Sequence, residues 1–401
     1  MAESDKPVTF YNPKTQHEYK AVYCTDVVEF CPYEGHEDLF VIGTYEVLES
    51  GGNVISEAVD TLDNDSNEDD DSIDIGDIDD DDDDNSIKRT GRLLFQSLEA
   101  VRDDKGKKKI KVHNITSLST PAIFDLKWSH KKINDYGYLG MADAIGNVTV
   151  YKLVSNGKSY DFEKVANTDN TTNELCCSLD WSNRISNTNN IVVSRSNGYI
   201  SLYNFNNSEI SQLEHWKGHD FEAWCAAFDQ WNTNVIYSGA DDCLFKGWDT
   251  RIGTSTPTFV NKKHEAGVCT IQVNPHNENI MATGSYDSYL NIWDKRNMVK
   301  PLIHHCTEGG VWKVKWHPKL EKKSYIASAC MYNGFHIYDI NLKSAGDEAI
   351  TEICHYDKHE SIAYGIDWCQ YTNDVCSNQI MGTCSFYDHL FHIWEMEPIK
   401  V

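Results

Sequence analysis

The chain has 401 residues, 40% of them apolar, with a mean hydropathy of −0.53, values of a water-soluble folded protein. Its formal charge is −26, but sixteen acids and no Lys or Arg fall between Glu57 and Asp84, so the remainder carries only −10. That sign argues against direct binding to a nucleic-acid backbone. No stretch approaches the ~20 apolar residues of a membrane span, and the N-terminus lacks the pattern of a signal peptide. A cytoplasmic, monomeric protein without a membrane span is therefore expected. The thirteen cysteines include no Cys-x-x-Cys pair. They read as reduced, mostly buried thiols, so neither a metal nor another cofactor is expected.

In chain order, the first strand signal is VVEF, ending at Phe30, followed by LFVIGTYEV (residues 39–47). The acidic tract comes next, assigned to residues 51–88 as a disordered insertion, and then GRLLFQSL (91–98). Six further alternating segments end at Trp128, Trp181, Phe228, Val273, Trp316 and Trp368. Each of the six is followed by a unit such as SGADDCLFKGWD (238–249), TGSYDSYLNIWD (283–294) or TCSFYDHLFHIWE (383–395). The closing aromatics of these units are Tyr151, Tyr203, Trp248, Trp293, Tyr338 and Trp394, spaced by 52, 45, 45, 45 and 56 residues. A repeat of ~45 residues made of four short strands cannot bury both faces of its sheet alone, and radial stacking buries them against one another. Seven such units make an all-β fold, a single seven-bladed domain over residues 1–401. Its last blade lacks a fourth strand, which PVTFYN (7–12) is expected to supply from the N-terminus.

The signature pairs Gly218-His219 with Asp242 and Trp248-Asp249, and His264 with Asp287 and Trp293-Asp294, resemble the WD-repeat β-propeller family. Asp388 and Trp394 repeat the spacing, whereas Tyr332 stands where the sixth blade should carry Asp. The Asp and His residues of this pattern, His219 among them, are expected to be structural. Catalytic signatures such as G-x-S-x-G, H-E-x-x-H and a P-loop are missing. His304-His305-Cys306 carries metal-ligand types, but neighbours on a strand point to opposite faces, so no metal site is assigned there.

Counting back four residues from each first-strand terminus gives one equivalent position per blade, near one mouth of the channel. These positions hold Asp26, Phe124, Cys177, Trp224, Cys269, Trp312 and Tyr364. Aromatic faces beside a carboxylate are what a quaternary ammonium group selects. Tyr286, Phe386, Tyr387 and Glu222 adjoin the same mouth and join the expected binding set.

GHDFEAWCAAF (218–228), YSGADDCLFKGWDTR (237–251), ATGSYDSYLNIWDKRNM (282–298), GGVWKVKWHP (309–318), ACMYNGF (329–335) and TCSFYDHLFHIWE (383–395) are similar to the diphthine methyl esterase family of the diphthamide pathway. The resemblance implies an enzyme acting on elongation factor 2, on a modified histidine bearing a trimethylammonium and a methyl-esterified carboxylate. Removal of the ester methyl would release methanol and diphthine. Such hydrolysis needs a nucleophile or activated water and a base. Cys330 and Ser385 are the candidate nucleophiles, with His389 or His219 as base. A water held by Asp26 or Glu222 is the alternative. A competing reading is a non-catalytic adaptor, since WDTR (248–251) and WDKR (293–296) have the form seen in substrate receptors of cullin-type ubiquitin ligases.

Overall fold

The computed structural model describes residues 8–48, 88–157, 159–170, 174–344, 346–371 and 379–399. Seven antiparallel four-stranded sheets form the blades. Their innermost strands are Cys24–Phe30, Ile123–Trp128, Cys176–Trp181, Ala223–Phe228, Val268–Val273, Lys313–Trp316 and Ala363–Cys369. Six thus end at the residue expected from sequence, and the seventh runs one residue past Trp368. Among the described residues there is no α-helix, only two short 3-10 turns.

The seventh blade is completed from the N-terminus, as expected, but by a different segment. Tyr11–Lys20 pairs antiparallel with Leu390–Pro398, from Tyr11 opposite Pro398 to Lys20 opposite Leu390. Only Tyr11 and Asn12 of the expected segment take part, and Pro7 lies outside the described residues. A nine-residue partner strand needs a donor of similar length, and Pro13 is tolerated because the donor lies at the blade's outer edge.

Of the insertion expected at 51–88, all but Lys88 lies outside the described residues. Lys88 itself begins the strand Lys88–Arg102 and pairs with Leu48. The insertion therefore leaves and re-enters the first blade at adjacent backbone positions.

Each innermost strand presents an edge whose N–H groups need partners. Side chains of the preceding blade supply them. The Phe30 N–H donates to Asp367 (2.7 Å), that of Leu179 to Asp125 (3.1 Å) and that of Phe228 to Asp180 (2.8 Å). Indoles return the contact: Trp128, Trp181, Trp316 and Trp368 donate to the backbone carbonyls of Glu29, Lys127, Gln272 and Lys315. These four tryptophans thus both fill the space between blades and bond them together.

Candidate active site at the channel mouth

The site begins with a backbone irregularity. In six blades the pairing of the first strand slips at its entrance, as between Thr25 and Val27 or between Ala223 and Cys225. The residues at these slips include Asp26, Phe124, Cys177, Trp224, Cys269 and Tyr364, the positions found by counting. A bulge frees one residue from the ladder and re-aims its side chain, and such bulges favour functional rims. In the sixth blade Trp312 immediately precedes the strand, its N–H bonded to the Ala329 carbonyl at 2.9 Å.

These side chains form an unbroken arc of rings. Trp224 lies 5.8 Å from Trp312, which lies 4.6 Å from Tyr364, which stacks on Phe386 at 4.9 Å. Phe386 continues to Tyr45 at 5.8 Å, and Tyr45 to Phe124 at 5.2 Å. Tyr286 braces Trp224 and Trp312 at 6.4 and 5.8 Å. The Trp224 indole donates to Asp241 at 3.0 Å, and that carboxylate occupies the space a side chain at Gly267 would fill. Tyr387 is 69% exposed at the lip, packed edge-on against Phe386, and Glu222 is half-buried there.

Asp26 is 4% exposed. Burial pushes its carboxyl well above the usual range, Asp125 adds to the effect, and Lys313 opposes it. Deeper in the channel stands a charged girdle. Lys127 bonds Glu29 at 2.7 Å and Asp125 at 3.3 Å, Lys313 bonds Asp125 at 2.9 Å, and Lys315 joins Glu29 to Asp367. Burial alone would raise Asp125, but Lys127 and Lys313 outweigh it and hold the carboxylate down at about 2. Phe124, Trp224 and Trp312 of the arc line, with the girdle, a cavity of 390 Å³ that continues along the channel to Arg184, Pro275 and Pro318.

The hydroxyl and thiol singled out as nucleophiles lie elsewhere. Cys330 is fully buried, 3.1 Å from the Ser328 hydroxyl, and burial pushes its thiol up to about 12. Ser385 is also fully buried. Its hydroxyl donates to Asp388 at 2.5 Å, so the short contact with His359 is donated by the imidazole Nδ1–H. A serine nucleophile needs the opposite polarity, giving its proton to the imidazole. His359 is in any case a poor base, since burial lowers it to about 2. His219 bonds Asp242 and Ser238 at 3.0 and 2.7 Å, inside the fourth blade.

His389 is placed differently. It adopts a left-handed backbone (φ 64°) in the turn after Phe386 and remains half-buried. Its Nδ1–H donates to the Val22 carbonyl at 3.2 Å, which leaves Nε2 as the basic nitrogen. Nε2 faces Cys24 Sγ at 3.5 Å, with Glu46 beyond it. Tyr45, Cys24 and Glu46 escaped the sequence reading. Tyr45 and Glu46 lie where the alternation of residues 39–47 breaks into consecutive polar side chains, and Cys24 precedes the recognised VVEF.

His304 and His305 turn to opposite sides as expected, one stacking on Tyr289 and the other packing on Tyr338. Arg251 and Arg296 each fold back onto their own Asp249 and Asp294 at 2.6 Å. The W-D-x-R segments are thus internally satisfied. Among the described residues, no helix is long and apolar enough to cross a membrane.

The fold, with Trp248 donating to Ser238, Ser238 to His219 and His219 to Asp242 in one blade and Trp293, Thr283, His264 and Asp287 linked alike in the next, defines a WD-repeat β-propeller with an aromatic pocket at one channel mouth. The family model for the WD domain, G-beta repeat, matches residues 255–294. A chain from the solved structure titled "Crystal Structure of Mitotic Checkpoint Complex" matches with a TM-score of 0.61 over 98% of both chains, at 14% identity. At that identity the likeness is one of fold alone.

Relatives narrow the assignment. The diphthine methyltransferase of Mus musculus is 34% identical over 351 residues, covering 86% of this chain and 67% of the relative. The diphthine methyltransferase homolog of Dictyostelium discoideum is 32% identical over 387 residues, covering 93% and 96%. The chain belongs to the diphthine methyltransferase family, and its role lies in diphthamide biosynthesis.

Proposed function

We propose that the protein hydrolyses the methyl ester of methylated diphthine on elongation factor 2, releasing methanol and the free acid, in the cytoplasm and as a monomer. The observation that carries this reading is the aromatic arc around the buried carboxyl of Asp26, in a member of this family. The substrate side chain would bear a fixed trimethylammonium beside its ester. Faces of Trp224, Tyr286, Trp312, Tyr364 and Phe386 would hold the cation, each worth up to ~2 kcal/mol when desolvated. Tyr387 and Glu222 at the lip would meet the protein that carries the modified side chain.

Water is the nucleophile in this mechanism, because Cys330 and Ser385 are enclosed in their blades. His389 Nε2 takes a proton from water as its oxygen attacks the ester carbonyl. The tetrahedral intermediate collapses with cleavage of the bond to the methoxy oxygen, and the imidazolium returns the proton to methoxide. One water is consumed and one methanol leaves. The Val22 carbonyl keeps the imidazole in the required tautomer.

The test is incubation of the purified chain with methyl-esterified elongation factor 2 and no methyl donor. Methanol release and loss of one methyl from the protein, both suppressed in Trp312→Ala, are expected. No methanol without a donor, together with methyl gain when a sulfonium donor is supplied, would overturn hydrolysis and favour transfer.

A further inference from the structure

Closure of the ring brings together three side chains from distant parts of the sequence. Cys24 starts the first blade's inner strand, Glu46 lies on its second strand, and His389 sits in the last blade's final turn. Their ligand atoms all lie within 4.8 Å of one another. Cys24 Sγ is 3.5 Å from His389 Nε2 and 4.0 Å from Glu46 Oε2. Around a tetrahedral ion with bonds of ~2.3 Å to sulfur and ~2.0–2.1 Å to nitrogen or oxygen, neighbouring ligand atoms stand ~3.5 Å apart.

We propose that Cys24, Glu46 and His389 form a binding site for a single divalent ion of the zinc class, with the fourth position open. The donor set of thiolate, imidazole and carboxylate selects zinc-like metals over the hard cations calcium and magnesium. His389 has the outer contact typical of a metal-bound imidazole, its far ring N–H held by a backbone carbonyl. Glu46 and His389 are half-buried, so the position is reachable from solvent.

The second cluster of this kind, His336, Glu352 and His355, shows by contrast what a site lacks. Both Nε2 atoms there donate to the Asn333 carbonyl, at 2.8 and 3.0 Å, and His336 Nδ1 contacts Glu352 at 2.8 Å. Both nitrogens of His336 are engaged as hydrogen-bond partners, and His355 Nε2 carries a proton. At Cys24 the facing nitrogen is free of one.

The inference deepens the hydrolytic reading and rests on it only for the ion's role. A zinc ion with three protein ligands lowers the pKa of a bound water to ~7 and would take over the activation assigned above to His389. Occupancy of the site is independent of that reading.

The test uses the 401-residue chain, stripped by chelator and titrated in separate samples with Zn²⁺ and with Co²⁺. One ion per chain is expected, with thiolate-to-cobalt charge-transfer absorbance in the near ultraviolet. Cys24→Ser, Glu46→Gln and His389→Ala should each weaken zinc binding by about a hundredfold or more, and Cys24→Ser should abolish the absorbance. Thermal melts identify any variant that fails to fold, and Glu46→Gln, at a half-buried position, keeps the comparison available. Fewer than one ion per chain, or undiminished binding in folded Glu46→Gln and His389→Ala, overturns the site. Methanol release is followed in parallel. Hydrolysis without zinc binding overturns the site and leaves the hydrolase reading standing, whereas zinc binding without hydrolysis supports the site and overturns that reading.

Discussion

Replacing Trp224 by Ala removes one wall of the aromatic arc while leaving its neighbours in place. The indole meets Trp312 at 5.8 Å and Tyr286 at 6.4 Å, both at steep angles, so neither ring needs it for stacking. What the substitution removes is one aromatic face, about 1–2 kcal/mol of attraction for a desolvated quaternary ammonium, or five- to thirtyfold in Kd. Trp224→Phe should recover part of this, because a smaller face remains. Calorimetry would compare a peptide bearing the trimethylammonium with its isosteric, neutral tert-butyl analogue. The wild type should prefer the charged peptide, and in Trp224→Ala that preference should fall five- to thirtyfold while the neutral one binds nearly unchanged. If the variant weakens both peptides by the same factor, Trp224 contributes shape alone and the cation pocket is wrong.

Cys330→Ala and Ser385→Ala should each retain methanol release within about threefold, and a loss of two orders of magnitude in either would restore it as the nucleophile. Since Leu48 pairs with Lys88, replacing residues 49–87 by a short glycine turn should shift the melting midpoint by only a few degrees. The seventeen acids of that tract should speed encounter with the basic surface of a ribosome-binding factor, so its removal should lower kcat/KM on intact elongation factor 2 several-fold at low salt. A short ester peptide, which lacks that surface, should show no change. His317 is 1% exposed, and burial lowers its imidazole from 6.5 to about 4. Because the unfolded chain takes up this proton first, stability should be complete above pH 6.5. The His317 contribution should fall by about 1.4 kcal/mol per unit down to pH 4, roughly 3 kcal/mol in all, and His317→Gln should lower the slope by that amount in denaturant titrations.

The blades were legible because burial imposes period two on every inner strand, and the Trp and Asp of each repeat recur at fixed steps. The mouth positions were found by counting because the same bulge interrupts pairing at the same step in six blades. Tyr45 was not, since it stands on a second strand, outside a count made along the first strands. The girdle was hidden for another reason. Glu29, Lys127, Lys315 and Asp367 each stand one place before the strand's final aromatic, where alternation alone reads as a solvated face. Only ring closure turns those faces toward one another. Cys24 and His389 are separated by nearly the whole chain, and the N-terminal strand that brings them together was itself placed several residues too early.

The seventh blade tests how far resemblance to a catalytic motif can be trusted. Trp248, Ser238, His219 and Asp242 form a linear chain in the fourth blade, as Trp293, Thr283, His264 and Asp287 do in the fifth. In each, an indole donates to a hydroxyl that contacts the imidazole, and the imidazole contacts the carboxylate. The seventh blade repeats this with Trp394, Thr383 and His359, then inserts Ser385 before Asp388. Seen alone, Ser385, His359 and Asp388 resemble a hydrolytic triad. Beside their counterparts they are the same scaffold lengthened by one hydroxyl, with the donor direction opposed to nucleophilic attack. Chemistry is better sought where residues serve no such chain. The mouth positions leave the ladder at their bulges, and His389 stands outside its blade's chain with a basic nitrogen facing another blade. At the junction of the first and last blades both occur together, the bulges at Asp26 and Tyr364 beside His389.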